Sequence, residues 1–300
     1  MKKLQKNIYY HTTSDGTNLG CIIGDDGPIS IDLPMTPEEA LSWRAQIAAL
    51  SDKPLRAVLF TSADRVSSEA LAAIAPHPGP LSIPSIIHDA GFAQLYAALE
   101  ASQPKSPEPL TPAQLREQAV LPDVTFTDSM TLVVGSANPL FVDIRHVGGY
   151  SPGSAIVVVR DAGVVFAGDL VTSREPPSLT LGNLDQWSAT LTDLKRSLKT
   201  AAIVPGRGPV ANVEAISETL AYLKAARSAV QKLIRGRKTR ADVSAIVPEL
   251  LAAYSIKPGK PRRGGADPDV VQRRVLLSLE SLFDQLSKAR EQTDVRPVEA

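Results

Sequence analysis

The residue types that most often hold metals or act as nucleophiles are scarce in this chain. Its 300 residues include one cysteine, Cys21, and four histidines, His11, His77, His88 and His146. A lone cysteine forms no intramolecular disulfide and no cysteine-based zinc centre. His11 lies near the N-terminus, His77 sits between prolines, and His88 and His146 fall at the ends of expected strands. His146 reads as a hydrogen-bonded structural residue, and His88 and His77 as surface or loop residues. Ser151, Ser154, Ser62 or Ser67 could serve a Ser–His–Asp arrangement only with His146, and the serines of Ser-Pro-Gly-Ser read more simply as turn formers and caps. Gly148, Gly149 and Gly153 form no phosphate-loop motif, and Gly206-Arg207-Gly208 reads as a tight turn.

Composition bounds the partners. Lys plus Arg and Asp plus Glu both number 32, so the net charge is zero, and hydrophobic residues make up 43%. These are ordinary globular values, and the balance argues against a non-specific polyanion binder. Two local basic clusters stand out, Arg235, Arg237, Lys238, Arg240 and Lys257, Lys260, Arg262, Arg263. They read as solvated faces, and the lack of interleaved aromatics weighs against nucleic acid. The N-terminal Met1-Lys2-Lys3-Leu4 has no apolar stretch behind its basic residues, so it does not read as a signal peptide. No apolar run approaches a membrane span. The expected location is the cytoplasm.

The elements that must position these residues are legible from local signals. Two short apolar runs between Leu19 and Leu33 flank Asp25-Asp26-Gly27, a hairpin signal. Thr36 to Leu50 reads as a helix, with Thr36 as N-cap and Pro37 in the first turn. Leu55–Thr61 and Pro80–Ile87 read as strands, each followed by a helix, Ser67–Ile74 and Asp89–Leu99. Ala101–Thr111 reads as a loop and Pro112–Glu117 as a short helix. Strands are expected at Thr125–Val134, Leu140–His146, Ala155–Val159, Val164–Phe166 and Ala201–Val204. In the helix expected at Asn183–Thr200, Leu184, Trp187, Leu191, Leu194 and Leu198 repeat at three-to-four spacing and should face a sheet. From residue 213 the signals are helical only, at Val213–Ile234, Thr239–Tyr254 and Asp267–Arg290. The order is consistent with a two-sheet sandwich flanked by helices, among other α+β layouts.

Five segments in register resemble the metallo-β-lactamase superfamily. They are Thr17–Cys21 with Ile29–Asp32, Val58–Thr61, His146–Ser154, Val164–Asp169 and Ile203–Pro209. The resemblance spans about residues 17–212. It implies an α+β, four-layer αββα sandwich over residues 1–212, with a helical C-terminal extension over 213–300. The departures fall on the family's metal ligands. Where family members carry Thr-His-x-His-x-Asp-His, this chain reads Thr61-Ser62-Ala63-Asp64-Arg65-Val66-Ser67. Tyr150 and Arg207 stand at two further histidine positions, and Asp169 alone retains the family's bridging carboxylate.

A catalytic zinc needs about three nitrogen, sulfur or oxygen ligands with water in the remaining position. Ser62, Asp64, Val66, Ser67, Tyr150, Asp169 and Arg207 supply no imidazole or thiolate. Asp64 and Asp169 could hold Mg²⁺ or Ca²⁺ through waters, but a guanidinium in the same pocket repels a cation. The expectation is therefore a pseudoenzyme without metal or other cofactor. Ser62, Asp64, Ser67, Tyr150, Asp169 and Arg207 should line its vestigial pocket, and Arg207 should pair with Asp169, Asp64 or both. Catalytic residues are not identified. A binding or interaction role with a small molecule or protein is expected, against an alternative as an ester, thioester or lactone hydrolase using a non-standard site. The oligomeric state is not readable.

Overall fold

A computed structural model describes residues 1–74, 83–103, 111, 114, 118–199, 201–254 and 267–294. Residues 80–82 at the start of the Pro80–Ile87 expectation, most of the 101–117 stretch, His77 and the second basic cluster lie outside these residues.

The first sheet has seven strands in sequence order. They are β1 (Lys2–Gln5), β2 (Ile8–Thr12), β3 (Asn18–Gly24), β4 (Gly27–Ile31), β5 (Ala57–Leu59), β6 (Ser85–His88) and β7 (Val124–Phe126). β1 to β4 pair antiparallel, and β4 to β7 pair parallel. The second sheet runs β12-β11-β10-β9-β8. Its strands are β8 (Ser129–Val134), β9 (Leu140–His146), β10 (Ala155–Val159), β11 (Val164–Thr172) and β12 (Ala202–Arg207), and only β11 and β12 pair parallel.

Period-two alternation sends neighbouring side chains into different layers. In β4, Ile29 and Ile31 enter the core between the sheets, while Ser30 faces outward and accepts from Trp43 Nε1 at 2.9 Å. In β11, Val164 and Phe166 face the other sheet, and Val165 and Ala167 face helices. Outside the first sheet lie α1 (Pro37–Ala48), α2 (Ser68–Ile74) and α3 (Asp89–Ser102). Outside the second lie α4 (Leu184–Ser197), α5 (Val213–Arg235), α6 (Val247–Ala252) and α7 (Pro268–Asp294). The result is an α+β, αββα sandwich with further helices after β12.

Several local expectations hold. The hairpin turns at Asp25-Asp26, and the Thr36 side chain accepts from Glu39 N at 3.3 Å. In α4, Leu184, Trp187, Leu191 and Leu194 are buried, with Leu198 packed against the same core as the helix ends. Three expectations need correction. Thr125–Val134 is not one strand: it breaks at Thr127-Asp128, and its halves enter different sheets. The expected strand at Val164–Phe166 extends to Thr172, which is what carries Asp169 within a strand. The N-terminal β1–β2 hairpin had no sequence expectation, and turns through Asn7 at a left-handed φ of 65°.

Candidate functional site

The site is built where β4, β5 and β11 end. Asp32 follows β4 with a left-handed φ of 56°, a conformation that Asp and Asn tolerate better than most residues. Its buried carboxylate accepts from Thr61 N at 2.8 Å and from Thr61 Oγ1 at 2.7 Å, fixing the segment after β5. Burial raises the Asp32 pKa to about 6, against the lowering charge of Arg65 and the two Thr61 bonds. On the other side, Gly168 lies at φ 52°, and a Cβ there would come within 2.3 Å of Thr61 Oγ1. Glycine lets β11 approach this closely.

Beyond Thr61, a short 3₁₀ turn, Ala63–Arg65, sends Asp64 and Arg65 in opposite directions. Asp64 is exposed, whereas the Arg65 side chain is only 3% exposed. Arg65 Nη2 donates to Asp169 Oδ1 at 2.5 Å and to the Gly206 carbonyl at 3.3 Å. A Cβ at Gly206 would meet Arg65 Nη2 at 2.7 Å, so glycine leaves room for the guanidinium. Burial opposes the Arg65 charge, but the charges of Asp169 and Asp32 outweigh it and raise its pKa. The charge at the centre of this site is therefore a guanidinium.

Tyr150 closes the adjoining side. Its loop turns through Gly148 and Gly149, both at positive φ, and its ring meets Trp187 edge-on with centroids 5.4 Å apart. Its hydroxyl donates to Asp64 Oδ2 at 2.5 Å. Burial, then the charges of Asp169 and Asp64, push the phenol pKa far up, so it stays a donor. Desolvation raises the Asp64 pKa, and the bond from Tyr150 works against that rise.

The remaining expected residues are placed differently. The expected Arg207 pairing is wrong. Arg207 donates to the Asp15 carbonyl at 2.6 Å and to Asp15 Oδ2 at 3.1 Å, at the protein edge, while Arg65 takes the role expected of it. The reason is position: β12 ends at Arg207, where an isolated bridge to Thr17 sets it beside the Thr13–Thr17 turn. Ser67 caps α2, accepting from Ala70 N at 3.2 Å and donating to Glu69. The Ser62 hydroxyl is buried and has no hydrogen-bond partner among the described residues.

His88 corrects the surface reading. It is buried, its Nδ1 accepts from Ala90 N at 3.1 Å at the start of α3, and its Nε2 donates to the Thr127 carbonyl at 2.7 Å. His146 stacks on it at 3.7 Å and bonds the Pro152 carbonyl at 2.8 Å. Ser151 and Ser154 bond each other at 3.0 Å. His146, Ser151 and Ser154 are thus engaged elsewhere. Sequence reasoning missed Arg65, which was not among the expected site residues. The available signal was charge: it is the only basic residue between Thr61 and Ser67.

No sequence-family profile and no curated protein matches the chain. Solved structures do. A metallo-β-lactamase from Pontibacter korlensis aligns at TM-score 0.58 and 16% identity, covering 74% of this chain and 97% of that one. The DIM-1 metallo-β-lactamase aligns at 0.59 and 15%, covering 75% and 96%. An Erythrobacter litoralis metallo-β-lactamase with β-mercaptoethanol in its active site aligns at 0.57 and 16%, covering 75% and 95%. The chain has the metallo-β-lactamase fold.

The residues present do not fit that fold's zinc. Zinc sites are built from imidazole, thiolate and carboxylate donors. Among the described residues, no group of three His, Cys, Asp or Glu side chains is arranged to hold a metal ion. Asp169 already binds the buried Arg65 guanidinium, and Asp64 already accepts from Tyr150.

Proposed function

We propose that this chain is a metallo-β-lactamase-fold pseudoenzyme, in which a protein guanidinium has taken over the charge role of the metal and the protein acts by binding rather than by zinc hydrolysis. The observation that carries the reading is the 2.5 Å bond between Arg65, 3% exposed, and Asp169, 14% exposed. Two carboxylates and a tyrosine around such a pair form a charge-compensated cluster, with no Lewis acid and no metal-bound water of lowered pKa. Arg65, Asp169, Asp64 and Tyr150, with the buried Ser62 hydroxyl, mark the vestigial site, residues 1–212 the domain that carried it, and 213–300 a helical extension. The partner is a small molecule or a protein, met in the cytoplasm. Among the described residues, no helix is long and apolar enough to cross a membrane.

The test is hydrolysis. Protein supplied with zinc should cleave a β-lactam, a phenyl ester, a thioester and a lactone no faster than a heat-inactivated control. Turnover that rises with added metal and disappears with a chelator would overturn the reading in favour of a hydrolase with a non-standard site.

A further inference from the structure

His88 and His146 form a stacked pair beside the Arg65–Asp169 cluster, with ring centroids 3.7 Å apart and planes 11° apart. Both His88 nitrogens are committed. Nδ1 accepts from Ala90 N in the first turn of α3, and Nε2 donates to the Thr127 carbonyl. An amide N–H can only donate and a carbonyl can only accept, so the ring is neutral with its proton on Nε2. A second proton would have to enter at Nδ1, where it would face the Ala90 N–H and end the cap of α3. It would also set a positive charge at a helix N-terminus, which the macrodipole disfavours, and against a second imidazole that titrates in the same range.

The capped turn touches both halves of the site. A Cβ at Gly153 would come within 2.3 Å of Gly91 N, and a Cβ at Gly91 would lie 3.8 Å from Ala63 N. Gly153 belongs to the loop that carries Tyr150, and Ala63 to the 3₁₀ turn that carries Asp64 and Arg65. His146 holds the same loop through the bond between Nε2 and the Pro152 carbonyl at 2.8 Å. The stacked pair therefore fastens the two segments that the Tyr150–Asp64 hydrogen bond joins.

The charged groups around His88 are His146 from β9, Asp89 from α3 and Asp128 from the turn after β7. Burial, and after it His146, hold the His88 pKa below its ordinary 6.5, against the Thr127 bond and the charges of Asp89 and Asp128. The neutral ring thus favours the closed arrangement fully above pH 6.5, and this is lost as pH falls through the lowered value.

We propose that the stacked His88–His146 pair is an acid-sensitive latch: uptake of one proton by His88 uncaps α3, frees the loop of residues 147–154, and opens the Tyr150–Asp64 side of the site.

The raised pKa of Asp32 moves overall stability with pH in the opposite direction, so the readout is local. Imidazole nitrogen shifts in NMR and backbone hydrogen exchange of the full chain, corrected for the intrinsic pH dependence of exchange, test the latch. At pH 7 His88 should be neutral, with its proton on Nε2. Between pH 7 and pH 5 the amides of residues 89–92 and 147–154 should come to exchange roughly five-fold faster or more, while those of β3 and β4 stay protected. His88→Asn keeps an acceptor for the helix cap and does not titrate, so its exchange in these segments should be equal at both pH values. His146→Phe keeps a stacked ring without a charge, so His88 should take up its proton at a higher pH. Protection of β3 and β4 at pH 7 reports that each variant is folded. A charged His88 at pH 7, unchanged exchange in the native chain at pH 5, an equal acid response in folded His88→Asn, or an unshifted His88 titration in His146→Phe would each overturn the proposal.

Discussion

Arg65 and Arg207 are two arginines with opposite energetic roles. Breaking a buried pair leaves an uncompensated charge, so Arg65→Ala should cost about 3–5 kcal/mol in stability. Asp169→Asn should cost less, because the amide oxygen still accepts from Arg65. The Arg207–Asp15 pair is half-exposed, and Arg207→Ala should cost no more than about 1 kcal/mol. Denaturant melts of the three variants check this ordering, and a larger loss for Arg207→Ala would contradict it. Asp32 gives a second prediction. Its pKa is about 6 when folded and 3.8 ordinarily, so the folded state binds the proton more tightly. Its ionisation penalty is fully present above pH 6 and is relieved as pH falls towards 4. Relief is worth up to about 2–3 kcal/mol. Asp15 and Asp143, both shifted downwards, lose stability only at pH values below this window. The melting temperature should therefore rise between pH 7 and pH 5, and Asp32→Asn should remove most of that rise. A rise of equal size in the variant would assign it to other groups.

At the scale of elements, turns and glycines set what the site can be. Gly168→Ala should destabilise, because its φ is left-handed and its Cβ would meet Thr61 Oγ1. The loss should exceed that of Gly163→Ala, also at positive φ but with nothing within 4 Å of the added Cβ. Comparable losses would mean that the close approach of β11 is not what the glycine serves. Much of this scale was legible in the sequence. The Asp25-Asp26 turn, the Thr36 cap and the α4 stripe depend on neighbours a few residues apart. The αββα order also followed, because the five family-like segments sit at strand ends. The break at Thr127-Asp128 did not, since which sheet a strand joins is decided by long-range pairing. His88 was misread for the same reason: its partner at Thr127 lies 39 residues away. Of the site, the sequence comparison named Asp64, Tyr150 and Asp169, which the structure brings together with Arg65, a residue it did not name. A motif comparison points only to the positions it aligns, whereas Arg65 comes from between them, in the 3₁₀ turn after Ser62.

At the scale of the whole molecule, the outer face of the second sheet shares one core with the described C-terminal helices. Trp187, Ile203, Val230, Val275 and Leu279 belong to one continuous cluster. The last helix is also pinned to the loop after β11, through the Arg274–Glu175 ion pair and the Leu179 N–Ser278 Oγ bond at 3.1 Å. Leu279→Ala should therefore cost about 2–5 kcal/mol and lower the midpoint read by Trp187 fluorescence together with the helical signal. A helical transition that moved alone, with Trp187 unchanged, would mean that α7 is a separate unit. Under the proposed function, the buried Arg65 guanidinium beside Asp169 stands in for a metal's charge. Elemental analysis of the full chain, purified from zinc-supplemented culture without chelator, tests it most directly. The account predicts zinc, iron and manganese far below one equivalent per chain. About one tightly held transition metal per chain, lost only to a strong chelator, would contradict it.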